Sequence, residues 1–169
     1  MPPSTPADAK ALLTAAIRDD DPVIFLGNLS LYSAKGEVPD GEQVAEIGRA
    51  AVVKSGSDLT IVSYSRGTTT ALEVAHQLED EGLSVEVVDL RSLRPLDRET
   101  ICASVRKTGH AVVFEDDWLS YGIGAEFRPP SVKERSTFWM LRCVVSPPPR
   151  FRCPTPNLLS LPRCPTLPR

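Results

Sequence analysis

Between Leu59 and Phe114 the chain alternates strand, helix, strand, helix, strand, and no other feature restricts the fold so tightly. Leu59-Thr60-Ile61-Val62-Ser63 is a short run of strand type. Ala71, Leu72, Ala75 and Leu78 follow at helical spacing, and Gly82 closes the helix. Val85-Glu86-Val87-Val88 predicts a second strand. Asp97 can cap a second helix carrying Ile101 and Val105, which Gly109 ends, and Ala111-Val112-Val113-Phe114 predicts a third strand. Strands joined in this way need right-handed crossovers, so the expected class is α/β, a three-layer parallel sheet.

Ahead of this unit, Thr5-Pro6-Ala7-Asp8 reads as a helix start: Thr5 caps, Pro6 takes the first helical position and Asp8 meets the positive end of the dipole. Leu12, Leu13, Ala16 and Ile17 form its apolar stripe, and Asp19-Asp20-Asp21-Pro22 stops it. Val23-Ile24-Phe25-Leu26 is a continuous apolar run, predicting a strand buried on both faces. Residues 27–56 read as a crossing linker with a short strand near Ala51-Val52-Val53.

Composition matters at one seam. Residues 1–126 carry 11 Lys+Arg against 21 Asp+Glu, whereas residues 127–169 carry 8 against 1. That last segment also holds 10 of the 16 prolines and none of the 10 glycines. Pro147-Pro148-Pro149, Pro154, Pro156, Pro162, Pro165 and Pro168 forbid long helices and central strands, so an extended or disordered tail is expected. Cys143, Cys153 and Cys164 sit 10 and 11 residues apart, with Cys102 alone in the body. No C-x-x-C pair exists, so a zinc site is not expected. The polar, Pro-rich opening has no secretory order and no apolar run of membrane length occurs; the expected compartment is cytoplasmic.

Four constellations could carry chemistry. Tyr64-Ser65-Arg66-Gly67 lies where a strand passes into a helix, a place where ligands of parallel sheets gather and helix amino termini attract anions. Arg66 could hold a phosphate or a partner's carboxylate there; the plainer reading is a solvent-facing turn with Ser65 as cap. Glu115-Asp116-Asp117 could bind Mg²⁺ or Ca²⁺, or it is a solvated loop, since neighbouring side chains diverge. His76 and His110 have no Ser, Cys or Asp partner at triad spacing. The Arg-rich tail could contact nucleic-acid phosphates but lacks interleaved stacking residues. No G-x-G-x-x-G or G-x-x-x-x-G-K-[ST] motif is present.

Several runs resemble one family. Pro22-Val23-Ile24-Phe25-Leu26, Lys35-Gly36-Glu37-Val38-Pro39, Thr60-Ile61-Val62-Ser63-Tyr64-Ser65-Arg66 and Val87-Val88-Asp89-Leu90-Arg91-Ser92-Leu93-Arg94-Pro95-Leu96-Asp97 are similar to the beta subunit of thiamine-dependent 2-oxo acid dehydrogenases. Tyr121-Gly122-Ile123-Gly124-Ala125-Glu126 continues the match, which covers residues 4–126. The resemblance implies a transketolase-type carboxyl-terminal domain, closest to the pyruvate dehydrogenase version; the branched-chain 2-oxo acid and acetoin enzymes are alternatives. It places residues 1–26 as the last helix and strand of a pyrimidine-binding domain, 27–56 as linker and 57–126 as an incomplete carboxyl-terminal domain. The family's activating glutamate and catalytic histidine belong upstream. The resemblance therefore assigns no catalytic, cofactor or metal residue here, leaving Tyr64, Ser65 and Arg66 as a possible anion or interface contact.

In the intact family, thiamine diphosphate sits between an alpha subunit and the beta subunit, two of each form a heterotetramer, and a lipoyl acyltransferase docks on it. This chain is expected to act as scaffold and interface, to bind no cofactor, nucleic acid or membrane, and not to turn over substrate alone. A different class, a small anion- or partner-binding α/β module, is the rival reading. The tail departs from the family. Around Trp139 and Met140, whose codons are unique, shifting the frame by one base gives Leu-Asp, then Ala if Leu141 uses a CT codon, then Pro, a family sequence, and shifting Arg152-Cys153-Pro154-Thr155-Pro156-Asn157 permits Met-Pro-Tyr-Ala-Lys, another. Residues 127–169 are thus expected to be a frameshifted translation, a reading that resequencing the locus without finding an indel would refute. Loss of the family's final covering helix predicts a marginal, association-prone protein.

Overall fold

The computed structural model describes residues 1–116 and 122–124, together with the backbone of residues 139–144. Helix α1 (Pro6–Arg18) begins where Thr5 accepts the Asp8 N–H at 3.1 Å, as the Thr-Pro-x-Asp start predicts. Five strands follow: β1 (Ala51–Lys54), β2 (Leu59–Ser63), β3 (Val85–Asp89), β4 (His110–Glu115) and β5 (Trp139–Val144). Helix α2 (Arg66–Asp80) links β2 to β3, and α3 (Arg98–Thr108) links β3 to β4. The sheet order is β1-β3-β2-β4-β5.

Pairings among β3, β2, β4 and β5 are parallel. The expectation of a parallel sheet needs one correction: β1 runs antiparallel to β3. Only residues 55–58 separate β1 from β2, and a parallel crossover needs a dozen or more, so the chain can only double back. Strand β5 takes the edge beside β4. It is extended, as expected of that segment, and it falls in a stretch free of proline, so its backbone can join a ladder. The rest of residues 127–169, including Cys153 and Cys164, lies outside the described residues.

The three layers come from alternation along the strands. Val62, Val88 and Val113 pack with Ile101 and Val105 of α3 on one face, while Ile61, Val85 and Val87 pack with Ala71 and Ala75 of α2 on the other. All five residues of β3 are buried, the pattern of a strand covered on both sides. Helix α2 ends as Gly82 predicts. Gly82 takes φ +86, its N–H donates to Glu79 O and the Leu83 N–H donates to Leu78 O, which satisfies two carbonyls the helix leaves open. Asp97 caps α3 by accepting the Thr100 N–H at 3.0 Å, and Gly109 closes it at φ +74.

Two expectations for the amino-terminal region fail. Val23-Ile24-Phe25-Leu26 forms no strand, and Ile24 and Leu26 are exposed at 75% and 48%. Among the described residues its backbone bonds reach only Met1, through Met1 N–H to Ile24 O and Leu26 N–H to Met1 O, and no described strand completes a ladder beside it. In α1 the buried apolar residues are Leu12 and Ala15, whereas Leu13 and Ile17 point to solvent. The apolar stripe is wider than the surface available to cover it. Elsewhere in residues 19–50 the chain is irregular apart from a short 3₁₀ turn at Leu29–Leu31.

Candidate functional site

The turn from β2 into α2 has unusual geometry, and its sequence explains it. Ser65 stands at the helix start with φ 53 and ψ −133, a backbone state sparsely populated by residues other than glycine. Small residues two positions either side make the sharp turn possible. A Cβ on Gly67 would collide with Ser63 Oγ and press on Phe114, so only glycine lets α2 begin this close to the strands. The Gly67 N–H donates to Tyr64 O and the Thr68 N–H to Ser65 O, each at 3.1 Å.

Ser65 is therefore not the solvent-facing cap that the sequence suggests. Its side chain makes no capping bond, it is 7% exposed, and among the described residues its hydroxyl has no partner. The strained turn lifts Oγ away from the helix N–H groups it would otherwise satisfy. Tyr64 is half-buried against the α3-side core, and Arg66 is exposed with no ion pair among the described residues.

Strand order places this turn at a meeting point. From β2 the chain passes through α2 to β3 on one side, while β4 lies on the other. Where parallel connections diverge in this way, a crevice opens beyond the strand ends. A cavity of about 260 Å³ lies there, lined by Ser65 and Arg66 from the turn, Glu115 and Asp116 from the end of β4, and Leu26 and Asn28 from the amino-terminal arm. Glu115 is 2% exposed, and its Oε2 accepts the Gly124 N–H at 3.0 Å. This corrects the solvated-loop reading for Glu115; Asp116 is exposed, and Asp117 lies outside the described residues. Among the described residues no group of three His, Cys, Asp or Glu side chains could hold a metal ion.

The spacing Ser63-x-Ser65-x-Gly67 and the backbone of Ser65 are those of a strained strand-to-helix elbow, the geometry that presents a nucleophile in some hydrolases. Among the described residues no base is hydrogen-bonded to Ser65. The chain has two histidines; His76 is exposed on α2, bonded through Nδ1 to Leu72 O, and His110 sits at the amino end of β4, the far end of that strand from Glu115.

A second polar cluster, which sequence reasoning did not single out, lies at the end of β3. Arg91 takes φ +53 and its guanidinium pairs with Asp8 of α1 at 2.7 Å. Asp89 is fully buried and accepts the Arg91 N–H at 3.2 Å. Burial pushes the Asp89 carboxyl up from 3.8 to about 6. The only sequence signal was an Asp closing a strand of three valines and Glu86.

Comparisons with known proteins agree with this architecture. The family described as "Transketolase, C-terminal domain" matches residues 48–134. The chain is 50% identical over 124 residues to the pyruvate dehydrogenase E1 component subunit beta of Bacillus subtilis (strain 168), covering 73% of this chain and 38% of that subunit. It is 46% identical over 125 residues to the subunit of the same name from Staphylococcus epidermidis (strain ATCC 12228 / FDA PCI 1200), with the same coverage. Among solved structures, a split gene transketolase described as an inactive beta4 tetramer superposes with a TM-score of 0.67 at 33% identity, covering 86% of this chain and 47% of that one. The chain thus spans less than two fifths of the length of the curated relatives it matches.

Proposed function

Because the chain belongs to the transketolase C-terminal domain family, we propose that it is the carboxyl-terminal scaffold of a pyruvate dehydrogenase E1-type beta subunit, a piece that holds subunit interfaces and does not itself transfer protons. The observation that carries this reading is the placement of exposed apolar side chains. Of the large hydrophobic residues exposed among the described residues, eight of twelve lie between Leu13 and Val44, with Ile17 at 76%, Ile24 at 75%, Leu29 at 80% and Tyr32 at 74%. Apolar side chains left exposed along one stretch of chain are what a surface made for another protein would show. On this reading residues 1–26 are the end of a pyrimidine-binding domain, 27–56 the linker, 57–126 the carboxyl-terminal domain and 127–169 an out-of-frame extension.

Thiamine diphosphate, which the family implies, does not fit the residues present. The cavity of about 260 Å³ is below the roughly 300–1,000 Å³ of sites for larger ligands, and the Glu115 and Asp116 carboxylates would repel a diphosphate. The chemistry of the parent enzyme, oxidative decarboxylation of pyruvate with acyl transfer to lipoamide, then belongs to the assembly. The reading extends to an alpha subunit, a second beta subunit and a lipoyl acyltransferase as partners, in the cytoplasm. Among the described residues no helix is long and apolar enough to cross a membrane.

Size-exclusion chromatography and a decarboxylation assay test this together. The chain is expected to co-elute with the alpha subunit of a closely related pyruvate dehydrogenase and to show no turnover of pyruvate alone. Turnover by the isolated chain, or a monomer indifferent to the alpha subunit, would overturn the proposal.

A further inference from the structure

The cavity between the ends of β2 and β4 has walls of opposite character. One is the first turn of α2, a helix of 15 residues whose aligned peptide dipoles leave positive potential at its start. Ser65 lines that wall, nine-tenths buried, with a hydroxyl that finds no partner among the described residues. Arg66 adds a positive charge and forms no ion pair among the described residues. The end of β4 adds Glu115, whose Oε2 already accepts the Gly124 N–H, and the exposed Asp116 to the same lining. A purely anionic ligand would gain from the start of α2 and meet two like charges at the end of β4; a purely cationic one would meet the reverse. We propose that the cavity binds a small dipolar molecule of the α-amino acid class, its carboxylate at Ser65, Arg66 and the start of α2, and its ammonium group towards Glu115 and Asp116.

Three further features support this class of ligand. A volume of about 260 Å³ suits a molecule of few heavy atoms. Leu26 offers an apolar surface for a short side chain. The hydroxyl, held by a strained backbone and unsatisfied, recovers a hydrogen bond when a carboxylate oxygen enters the cavity. Binding is reversible and non-covalent, since no histidine lines the cavity to activate Ser65.

Heteronuclear NMR titration of the full 169-residue chain tests the site, following the amides of Ser65, Arg66 and Gly67. L-alanine is expected to shift these signals saturably. Acetate and methylammonium, the two halves of the charge pattern, should each bind about tenfold more weakly or worse. Ser65→Ala and the surface variants Arg66→Gln and Asp116→Asn should each weaken L-alanine by about tenfold while keeping the spectrum of the folded sheet. Absence of saturation, acetate or inorganic phosphate binding as tightly as L-alanine, or unchanged affinity in both surface variants would overturn the proposal. The titration needs no alpha subunit, so its outcome is separate from that of the interface reading.

Discussion

Residues 59–115 and residues 13–44 are both rich in apolar side chains, yet the first segment buries them and the second does not. In β3 every residue is buried, even Glu86 and Asp89, because α2 and α3 return to opposite faces of the sheet. In the amino-terminal arm, Ile17 and Ile24 face solvent although their sequence patterns suit a core, and Leu29 and Tyr32 of the linker are exposed beside them in sequence. Burial is decided by whether an opposing surface is supplied within the same chain. The crossovers supply one to each face of the sheet, and nothing among the described residues supplies one to the arm.

The largest effect should come from breaking the buried side. Leu90, 1% exposed at the end of β3, should cost about 2–5 kcal/mol when changed to Ala, from lost transfer energy plus the cavity left behind. Urea denaturation with intrinsic fluorescence measures it; a loss below about 1 kcal/mol would show that the sheet is not the cooperative unit.

Asp89 allows a sharper distinction, because its carboxyl is raised from 3.8 to about 6 by burial. The folded state holds that proton more tightly than the unfolded chain. Its contribution to stability is therefore full below pH 3.8 and is lost as pH rises through about 6, amounting to at most about 3 kcal/mol. Burial also pushes Glu86 and Asp97 up. Bonds from Lys107, Ser104 and Gly56 to Glu86, and bonds from Thr100 and Ala50 together with the Arg49 charge at Asp97, outweigh it and lower both, so their contributions vanish as pH falls and oppose the first. Asp89→Asn should raise the urea midpoint at pH 7.5 and raise it by only about a third as much at pH 4.5, where the unfolded carboxyl is still mostly ionised. An equal change at both would rule out the titration.

The joint between the two regions comes next. Asp97 accepts the N–H groups of both Thr100 in α3 and Ala50 at the end of the arm, each at 3.0 Å. Asp97→Ala should cost about 1–2 kcal/mol globally. Thr5→Ala removes a similar cap from α1, worth about 1 kcal/mol, but there the expected effect is local. Hydrogen exchange should quicken in residues 6–18 while the midpoint of the sheet holds. A matching global loss would mean that arm and sheet unfold together. The smallest change in stability, within about 0.5 kcal/mol, is expected for Ile17→Ser. That variant should lower self-association in sedimentation velocity; unchanged association would remove the apolar arm as its cause.

Element boundaries in the sheet unit were legible because their signals are local. Gly82, Asp97 and Gly109 cap or close helices by bonds spanning a few residues. Thr5 did the same for α1. The strand expected at Val23–Leu26 was not legible as a failure, since an apolar run says nothing about whether a neighbour stands beside it. The site was half legible. Tyr64-Ser65-Arg66 could be placed at a strand end by pattern alone, but the burial of Ser65, its left-handed backbone and its missing partner could not.

What the sequence by itself determined is the order of strands and helices and most of their ends, for periodicity and capping act between residues close along the chain. Only the tertiary structure decided that β1 runs antiparallel, that Glu115 is buried, and that Ser65 and Asp116, 51 positions apart, line one cavity. Those outcomes depend on which strand lies beside which, and on how closely Gly67 lets a helix approach the sheet. Such contacts join distant residues, and no short-range pattern encodes them.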